Sequence, residues 1–211
     1  MVIYNSVFST MYHLSRNGAR FQMFAPNQQQ MHVMDHMKKQ PGSGENRNMM
    51  MESARFSHGQ GMMQMQDLSK LDINSFDAVI FPGGHGIIKN LSTFVKDGKD
   101  CKLQGDVDKV LKDFHRSRKP IGYTGQHGYG PGLPRAAQHR GDHGLREGRK
   151  HPLGELAHTN MVQAVKSMGA RHNKNKVVST PSFMWETEYH YHYIFDGIGN
   201  MVKHVMRMST K

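Results

Sequence analysis

Short apolar runs alternate along this chain with stretches in which apolar residues recur at helical spacing. The runs predict buried strands over Ala19–Phe24, Asp77–Phe81, Pro120–Tyr123 and Lys176–Ser182. The other stretches predict helices over Val7–Arg16, Glu52–Ser57, 107–114, 161–168 and 194–208. Strands that alternate with helices are typical of a parallel sheet covered on both faces. The pattern therefore predicts one α/β domain over residues 1–211.

Two segments depart from this pattern. Residues 27–48 are polar and contain Pro41, Gly42 and Gly44, which predicts a loop. Residues 124–151 contain seven Gly, four Arg and four His with almost no apolar periodicity, a composition that cannot bury a strand or a helix. One hypothesis for this second segment is a local frame slip in the coding sequence, restored near Pro152. Comparison of the coding DNA with that of a relative would test it.

The formal net charge of +11 is spread along the chain, without a block of five or more like charges and without interleaved aromatic residues. Nucleic-acid-binding proteins concentrate basic residues on one face, so no nucleic-acid partner is predicted. No run approaches the roughly 18 apolar residues that a membrane-spanning helix needs, so no membrane partner is predicted. No transit peptide is recognised, because domain-like sequence begins almost at Met1.

The fifteen His residues raise the question of metal binding. The pair His190 and His192 comes nearest to the spacing of metal ligands, together with the set His139, His143 and His151. Without cysteines or paired carboxylates beside them, these spacings do not amount to a metal site. The sequence therefore predicts neither a metal nor a cofactor.

A long and unusual string begins where the second predicted strand ends. Residues 81–101 read Phe-Pro-Gly-Gly-His-Gly-Ile-Ile-Lys-Asn-Leu-Ser-Thr-Phe-Val-Lys-Asp-Gly-Lys-Asp-Cys, and residues 119–122 read Lys-Pro-Ile-Gly. The first string closely resembles the glycine-rich loop of one branch of the ThiJ/PfpI superfamily, called glutamine amidotransferase-like class 1 domain-containing protein 3. The second resembles the strand that leads into the nucleophilic cysteine of that family.

The resemblance implies a flavodoxin-like sandwich with a parallel sheet. Compared with the family, the chain is expected to lack the first strand, because it starts inside the first crossover, and a later strand that would fall within 124–151. Members of this branch are linked with mitochondria and commonly form dimers. The resemblance therefore implies a mitochondrial location, with the cytoplasm as the alternative. It also implies a homodimer, or a heterodimer with an intact family member.

In this family a cysteine on a tight strand-to-helix turn is the nucleophile, and a helix N-terminus and a nearby acidic side chain favour its thiolate. Backbone N–H groups of the Gly-Gly loop can stabilise an oxyanion. Carried over by position, Gly125 stands where the cysteine would be, and Ile3 stands where the acidic residue would be. The resemblance leaves Gly83, Gly84 and Gly86 as a remnant oxyanion loop.

Two nearby side chains are candidates for a substitute role. Thr124 precedes the nucleophile position, but its hydroxyl has no evident base. His85 follows the two glycines and could face the pocket that holds the family's active site, although a surface position is the simpler interpretation. Cys101, the single cysteine, excludes an internal disulfide framework. The family has a cysteine here too, so a structural or incidental role is expected for it.

The leading prediction is a catalytically inactive family member. One alternative is a non-catalytic binding subunit that pairs with an intact relative. Another is a residual glyoxalase-type or hydrolase-type activity on small reactive carbonyls or acyl adducts, with Thr124 or a histidine as the acting residue.

Overall fold

The computed structural model describes residues 2–35, 37–38, 40–42, 44–57, 64–97, 101–124, 176–180 and 191–210. Contacts within the chain define two compact units, a smaller one of residues 19–72 and a larger one of residues 1–18 with 73–211. A single domain over 1–211 stays a prediction. The predicted helix at 161–168, the segment from Gly125 to His151 and its missing strand lie outside the described residues.

Helices and short strands alternate along the chain. The helices are α1 Val2–Arg16, α2 Met49–Ala54, α3 His85–Asn90, α4 Phe94–Asp97, α5 Gly105–Arg116 and α6 Tyr191–Ser209. The strands are β1 Phe24–Ala25, β2 Met34–Asp35, β3 Gln40–Pro41, β4 Gln66–Asp67, β5 Val79–Phe81, β6 Ile121–Thr124 and β7 Val177–Thr180. None of the helices in this part of the chain combines the length and apolar character that crossing a bilayer requires.

The described part of the larger unit is built on a three-stranded parallel sheet in the order β5–β6–β7. Ile80, Gly122 and Val178 lie side by side across its three strands. The central strand β6 is buried along its whole length, as is typical of parallel strands. The predicted strands at 77–81, 120–123 and 176–182 are confirmed, with ends that shift by one or two residues. The predicted α/β fold class with a parallel sheet is also confirmed.

Helix α6 packs against β6 and β7 through one apolar face. The buried residues of this face recur at the helical spacing that the sequence predicted, and they are Ile194, Ile198, Met201, Val202 and Val205. A Cβ atom on Gly122 would lie 2.8 Å from Met201 Sδ and 3.1 Å from Val205 Cγ2. The absent side chain at Gly122 therefore allows the helix to approach the central strand closely.

Helix α5 also contacts β6, and it has the apolar face that the sequence predicted. Its buried residues are Val107, Val110, Leu111 and Phe114. The side chain of Gln104 caps its first turn by accepting a hydrogen bond from Val107 N at 2.9 Å. Beyond its C-terminus, Lys119 Nζ donates to the carbonyl oxygens of Ile73 and Phe76, each at 2.6 Å. These bonds tie the turn before β5 to the entry of β6.

Helix α1 begins five residues before the predicted start and ends as expected before Gly18, whose φ is +74°. It packs against α6 with an unusual buried face that includes Ser6, Ser9 and Thr10. The hydroxyl of Thr10 donates to the Ser6 carbonyl at 2.7 Å, which satisfies one of these buried polar groups. Phe8, by contrast, is 49% exposed. The inward face of α1 is therefore small and polar, and aromatic area lies outside.

The smaller unit contains two pairs of two-residue strands, β1 with β4 in parallel and β2 with β3 in antiparallel orientation. The prediction of a strand over Ala19–Phe24 was wrong in its bounds, because pairing involves only Phe24 and Ala25. The prediction of a loop over 27–48 missed β2 and β3. A carboxylate oxygen of Asp35 accepts hydrogen bonds from the backbone N–H groups of Met37 and Lys38, which supports a turn that polar composition alone does not show.

Helix α2 begins at Met49, three residues before the predicted start. The Oδ1 atom of Asn48 accepts hydrogen bonds from Met50 N at 2.9 Å and Met51 N at 3.1 Å. Such an N-cap satisfies amide groups that have no partner inside the helix. The start of α2 is therefore determined by this asparagine rather than by the apolar pattern.

Replacing Gly122 by Ala tests the close approach of α6 to the central strand. The new methyl group would overlap Met201 and press on Ile80 and Val205, so we expect the free energy of unfolding to fall by about 1–3 kcal/mol. Urea denaturation measures this change. As a control, Gly105→Ala places a methyl group in open space on a helix and should change stability by no more than about 1 kcal/mol, in the stabilising direction. Equal stability of Gly122→Ala and the wild type would contradict the packing described.

Candidate functional site

The loop after β5 and the end of β6 meet at the carboxyl edge of the sheet. The backbone N–H of Gly83 donates a hydrogen bond to Oγ1 of Thr124 at 2.7 Å. Gly83 is buried, and Thr124 is only 1% exposed. Because β5 and β6 are parallel neighbours, their carboxyl ends lie at the same edge. Two residues 41 positions apart in sequence are therefore in direct contact.

Gly84 gives the loop its shape. Its φ of 142° and ψ of 161° lie in a backbone region that is nearly restricted to glycine. Its carbonyl oxygen accepts a hydrogen bond from Ile87 N at 3.1 Å, which opens helix α3. The chain thus turns sharply from strand β5 into α3 at a position where any other residue would be strained.

The structure brings together some of the predicted site residues. Gly83 and Thr124 are in contact, with Gly84 next in the loop. Gly86 lies half-buried in the first turn of α3. The backbone positions of two further candidates are described: His85 is the first residue of α3, and Ile3 lies in the first turn of α1. Helix α3 itself was not predicted, because its run of His, Gly and Ile shows no clear apolar periodicity.

Gly125 lies outside the described residues, but its place in the chain is clear. Strand β6 ends at Thr124, so Gly125 is the residue that directly follows the central strand. This is the strand end at which the resemblance implies a nucleophile. Cys101, the single cysteine of the chain, is half-buried and instead lies before α5. The described ranges contain no group of three or more His, Cys, Asp or Glu side chains placed to hold a metal ion.

A row of side chains that sequence reasoning missed crosses the sheet just before this edge. Phe81, Tyr123 and Ser179 are paired in register on β5, β6 and β7. The rings of Phe81 and Tyr123 are stacked with centroids 5.4 Å apart. Tyr123 Oη and Ser179 Oγ are buried and find no hydrogen-bond partner within the described ranges. Burial raises the pKa of Tyr123 above its ordinary value of 10.0.

The signal for this row was present in the sequence. Tyr123 ends a predicted buried strand, and alternation along a strand places it on the face opposite Gly122. A tyrosine buried on such a face usually needs a partner for its hydroxyl. What the sequence does not give is the register of β7, which places Ser179 next to Tyr123.

Sequence comparisons find relatives that match most of the chain. The chain is 70% identical over 218 residues to the ES1 protein, mitochondrial, of Danio rerio, covering 96% of this chain and 78% of that protein. It is 45% identical over 214 residues to the human glutamine amidotransferase-like class 1 domain-containing protein 3, mitochondrial, covering 94% of this chain and 75% of the human protein. No family model matches.

Among solved structures, the chain is similar to an isoprenoid biosynthesis protein with an amidotransferase-like domain from Ehrlichia chaffeensis. The TM-score is 0.72 at 22% identity, over 98% of this chain and 91% of that structure. This likeness shows an amidotransferase-like α/β fold. The sequence identities show the family as well as the fold. The chain belongs to the ES1 family, which includes glutamine amidotransferase-like class 1 domain-containing protein 3. The predicted family is confirmed.

Replacing Tyr123 by Phe tests the buried hydroxyl. The change removes a polar group without a described partner, so we expect the free energy of unfolding to rise by about 1 kcal/mol at neutral pH. The raised pKa means that the unfolded chain releases the phenolic proton at lower pH than the folded chain does. The folding stability that is linked to this proton is fully present below the ordinary pKa of 10.0, and it is lost as the pH rises above that value. The stability gained by Tyr123→Phe should therefore grow above pH 10.0.

Urea unfolding at neutral pH and at several alkaline pH values measures both effects. Tyr193 is 63% exposed, so Tyr193→Phe is the matched control and should change stability by less than about 0.5 kcal/mol. A Tyr123→Phe protein that is less stable than the wild type by more than about 1 kcal/mol would show that the hydroxyl has a favourable partner.

Proposed function

We propose that this chain is a catalytically inactive member of its family. The observation that carries the proposal is Gly125, which directly follows the central strand β6, where the resemblance implies the family nucleophile. A glycine offers no atom that can attack an electrophilic carbon. Covalent catalysis requires an attacking sulfur, oxygen or nitrogen with a base or a lowered pKa to activate it. Ile3, at the position of the acidic partner, has no titratable group either.

The contacts of Thr124 argue against a substitute nucleophile. Its hydroxyl is buried and accepts a hydrogen bond from the Gly83 N–H. A threonine nucleophile instead needs a base that takes its proton and a path for the substrate to reach it. His85 is the first residue of helix α3 and follows Gly84 rather than the end of the central strand.

A turnover assay tests the proposal. The purified chain is incubated with methylglyoxal and with a small activated ester, which cover the two proposed classes of residual activity. We expect rates at least about a thousandfold below those of a relative that carries the nucleophilic cysteine, because loss of a nucleophile costs several orders of magnitude in rate. Product formation within about tenfold of the relative would overturn the proposal, and its loss in Thr124→Val would then identify the acting hydroxyl. The heat-denatured chain serves as the blank.

A second candidate function is a non-catalytic binding subunit that pairs with an intact family member or with a second copy of the chain. It is favoured by the outward residues of two helices that pack together, α1 and α6. Phe8 is 49% exposed, Tyr12 55% and Tyr193 63%. Aromatic side chains are enriched at surfaces that contact another protein. We further propose a mitochondrial location, as the names of the Danio rerio and human relatives state for those proteins.

Co-expression with a relative that carries the nucleophilic cysteine tests the pairing. We expect the relative to co-purify with a tagged copy of the chain, and the double variant Phe8→Ser with Tyr12→Ser to reduce its recovery at least about fivefold, a loss of about 1 kcal/mol of binding. Met37→Ser is the matched control, because Met37 is 95% exposed and lies in the smaller unit. Sedimentation of the chain alone distinguishes a homodimer. Monomeric chain that never recovers the relative would end this candidate.

A further inference from the structure

The hydrogen bond between Gly83 and Thr124 has an unusual acceptor. A backbone N–H at the start of the loop points toward the end of the central strand, where the resemblance places an oxyanion. Its acceptor is not a ligand but a side-chain hydroxyl of the same chain, at 2.7 Å. That distance is at the short end of the range for N–H donors in proteins. The donor and the acceptor are both buried.

A buried N–H that already has a good acceptor does not bind a second one readily. An incoming oxygen would have to break the bond to Thr124 and leave the threonine hydroxyl in a buried environment without that partner. Leaving a buried polar group unsatisfied costs about 1–3 kcal/mol. That cost alone lowers the affinity for an incoming anion by roughly a factor of 5 to 150.

We propose that Thr124 acts as a built-in occupant of an anion site whose donor is the Gly83 amide. Removing both its hydroxyl and its methyl group would open the site to a small carboxylate such as formate. The inference rests on the proposed function to the extent that both concern the same loop. Formate binding, however, requires no nucleophile. Replacing Gly125 by Cys alone would accordingly leave this donor blocked.

Three substitutions at one position separate the parts of the proposal. Thr124→Ser keeps the hydroxyl acceptor and should behave like the wild type. Thr124→Val removes the acceptor but keeps the volume, so it should lower stability without opening the site. Thr124→Ala removes both and should bind formate. The series measures formate binding and stability, so it does not depend on turnover.

The experiment is a formate titration followed by the amide signal of Gly83 in nitrogen-15-labelled protein. We expect a saturable shift of that signal in Thr124→Ala, at least about tenfold larger than in the wild type, Thr124→Ser or Thr124→Val. Formate should also raise the melting temperature of Thr124→Ala alone, because a ligand that binds only the folded state stabilises it. A Gly83 shift in the wild type as large as in Thr124→Ala would overturn the proposal. So would a folded Thr124→Ala protein whose Gly83 signal does not respond.

Hydrogen exchange of the wild type keeps the proposal testable if Thr124→Ala fails to fold. The Gly83 amide should exchange at least about a hundredfold more slowly than an exposed amide, since it is bonded to a buried acceptor. Exchange at the rate of an exposed amide would show that the bond to Thr124 does not persist. These outcomes leave the turnover test untouched. An inactive chain with an open Gly83 amide would refute this inference alone, and an active chain with a blocked amide would refute the proposed function alone.

Discussion

The close approach of α6 to the central strand is the constraint on which the larger unit depends. At Gly122 the strand presents no side chain, and Met201 and Val205 occupy the space that a Cβ atom would need. The helix then covers β6 and β7 with a face in which Ile198 and Val202 are fully buried. A helix that stood farther out would leave this apolar area in contact with water, at a cost of roughly 25 cal/mol for each Å² exposed.

The same helix meets its other neighbours through glycines of its own. A Cβ on Gly197 would lie 2.9 Å from Thr180 Oγ1 on β7, and one on Gly199 would lie 2.5 Å from Cε1 of His13 on α1. Each glycine inside a helix costs about 1 kcal/mol relative to alanine. Packing on both sides offsets that cost. It also explains why the buried face of α1 consists of small residues such as Ser6 and Ser9, since larger side chains would hold the two helices apart.

The sequence predicted what depends on local pattern and missed what depends on pairing between distant segments. The helix that contains Val107 to Phe114 and the helix of Ile194 to Val205 were predicted because their apolar residues recur at helical spacing. The hairpin of β2 and β3 was missed because backbone hydrogen bonds hold it, including Gly42 N to Val33 O at 2.7 Å. Such bonds involve no apolar side chain, so the polar composition of 27–48 gave no sign of it.

The candidate site shows the same division. Gly83, Gly84 and Thr124 could be named from the text of the chain, because the Phe-Pro-Gly-Gly string is distinctive. The hydrogen bond from the Gly83 amide to Thr124 could not be predicted in this way, because it follows from the parallel pairing of β5 with β6. The hydroxyls of Tyr123 and Ser179 have no hydrogen-bond partner among the described residues, and their proximity likewise follows only from the register of β6 and β7.

An intact glycine-rich loop is therefore weak evidence for activity in this chain. Gly84 adopts a φ of 142°, and another residue there would strain the turn into α3 whether or not any chemistry takes place. The Gly83 amide is satisfied inside the protein by Thr124, so the loop also meets its hydrogen-bonding requirement without a ligand. Backbone conformation therefore accounts for Gly84, and the Gly83 amide needs no ligand as its partner. The proposal of inactivity rests instead on position 125, where the chain has a glycine.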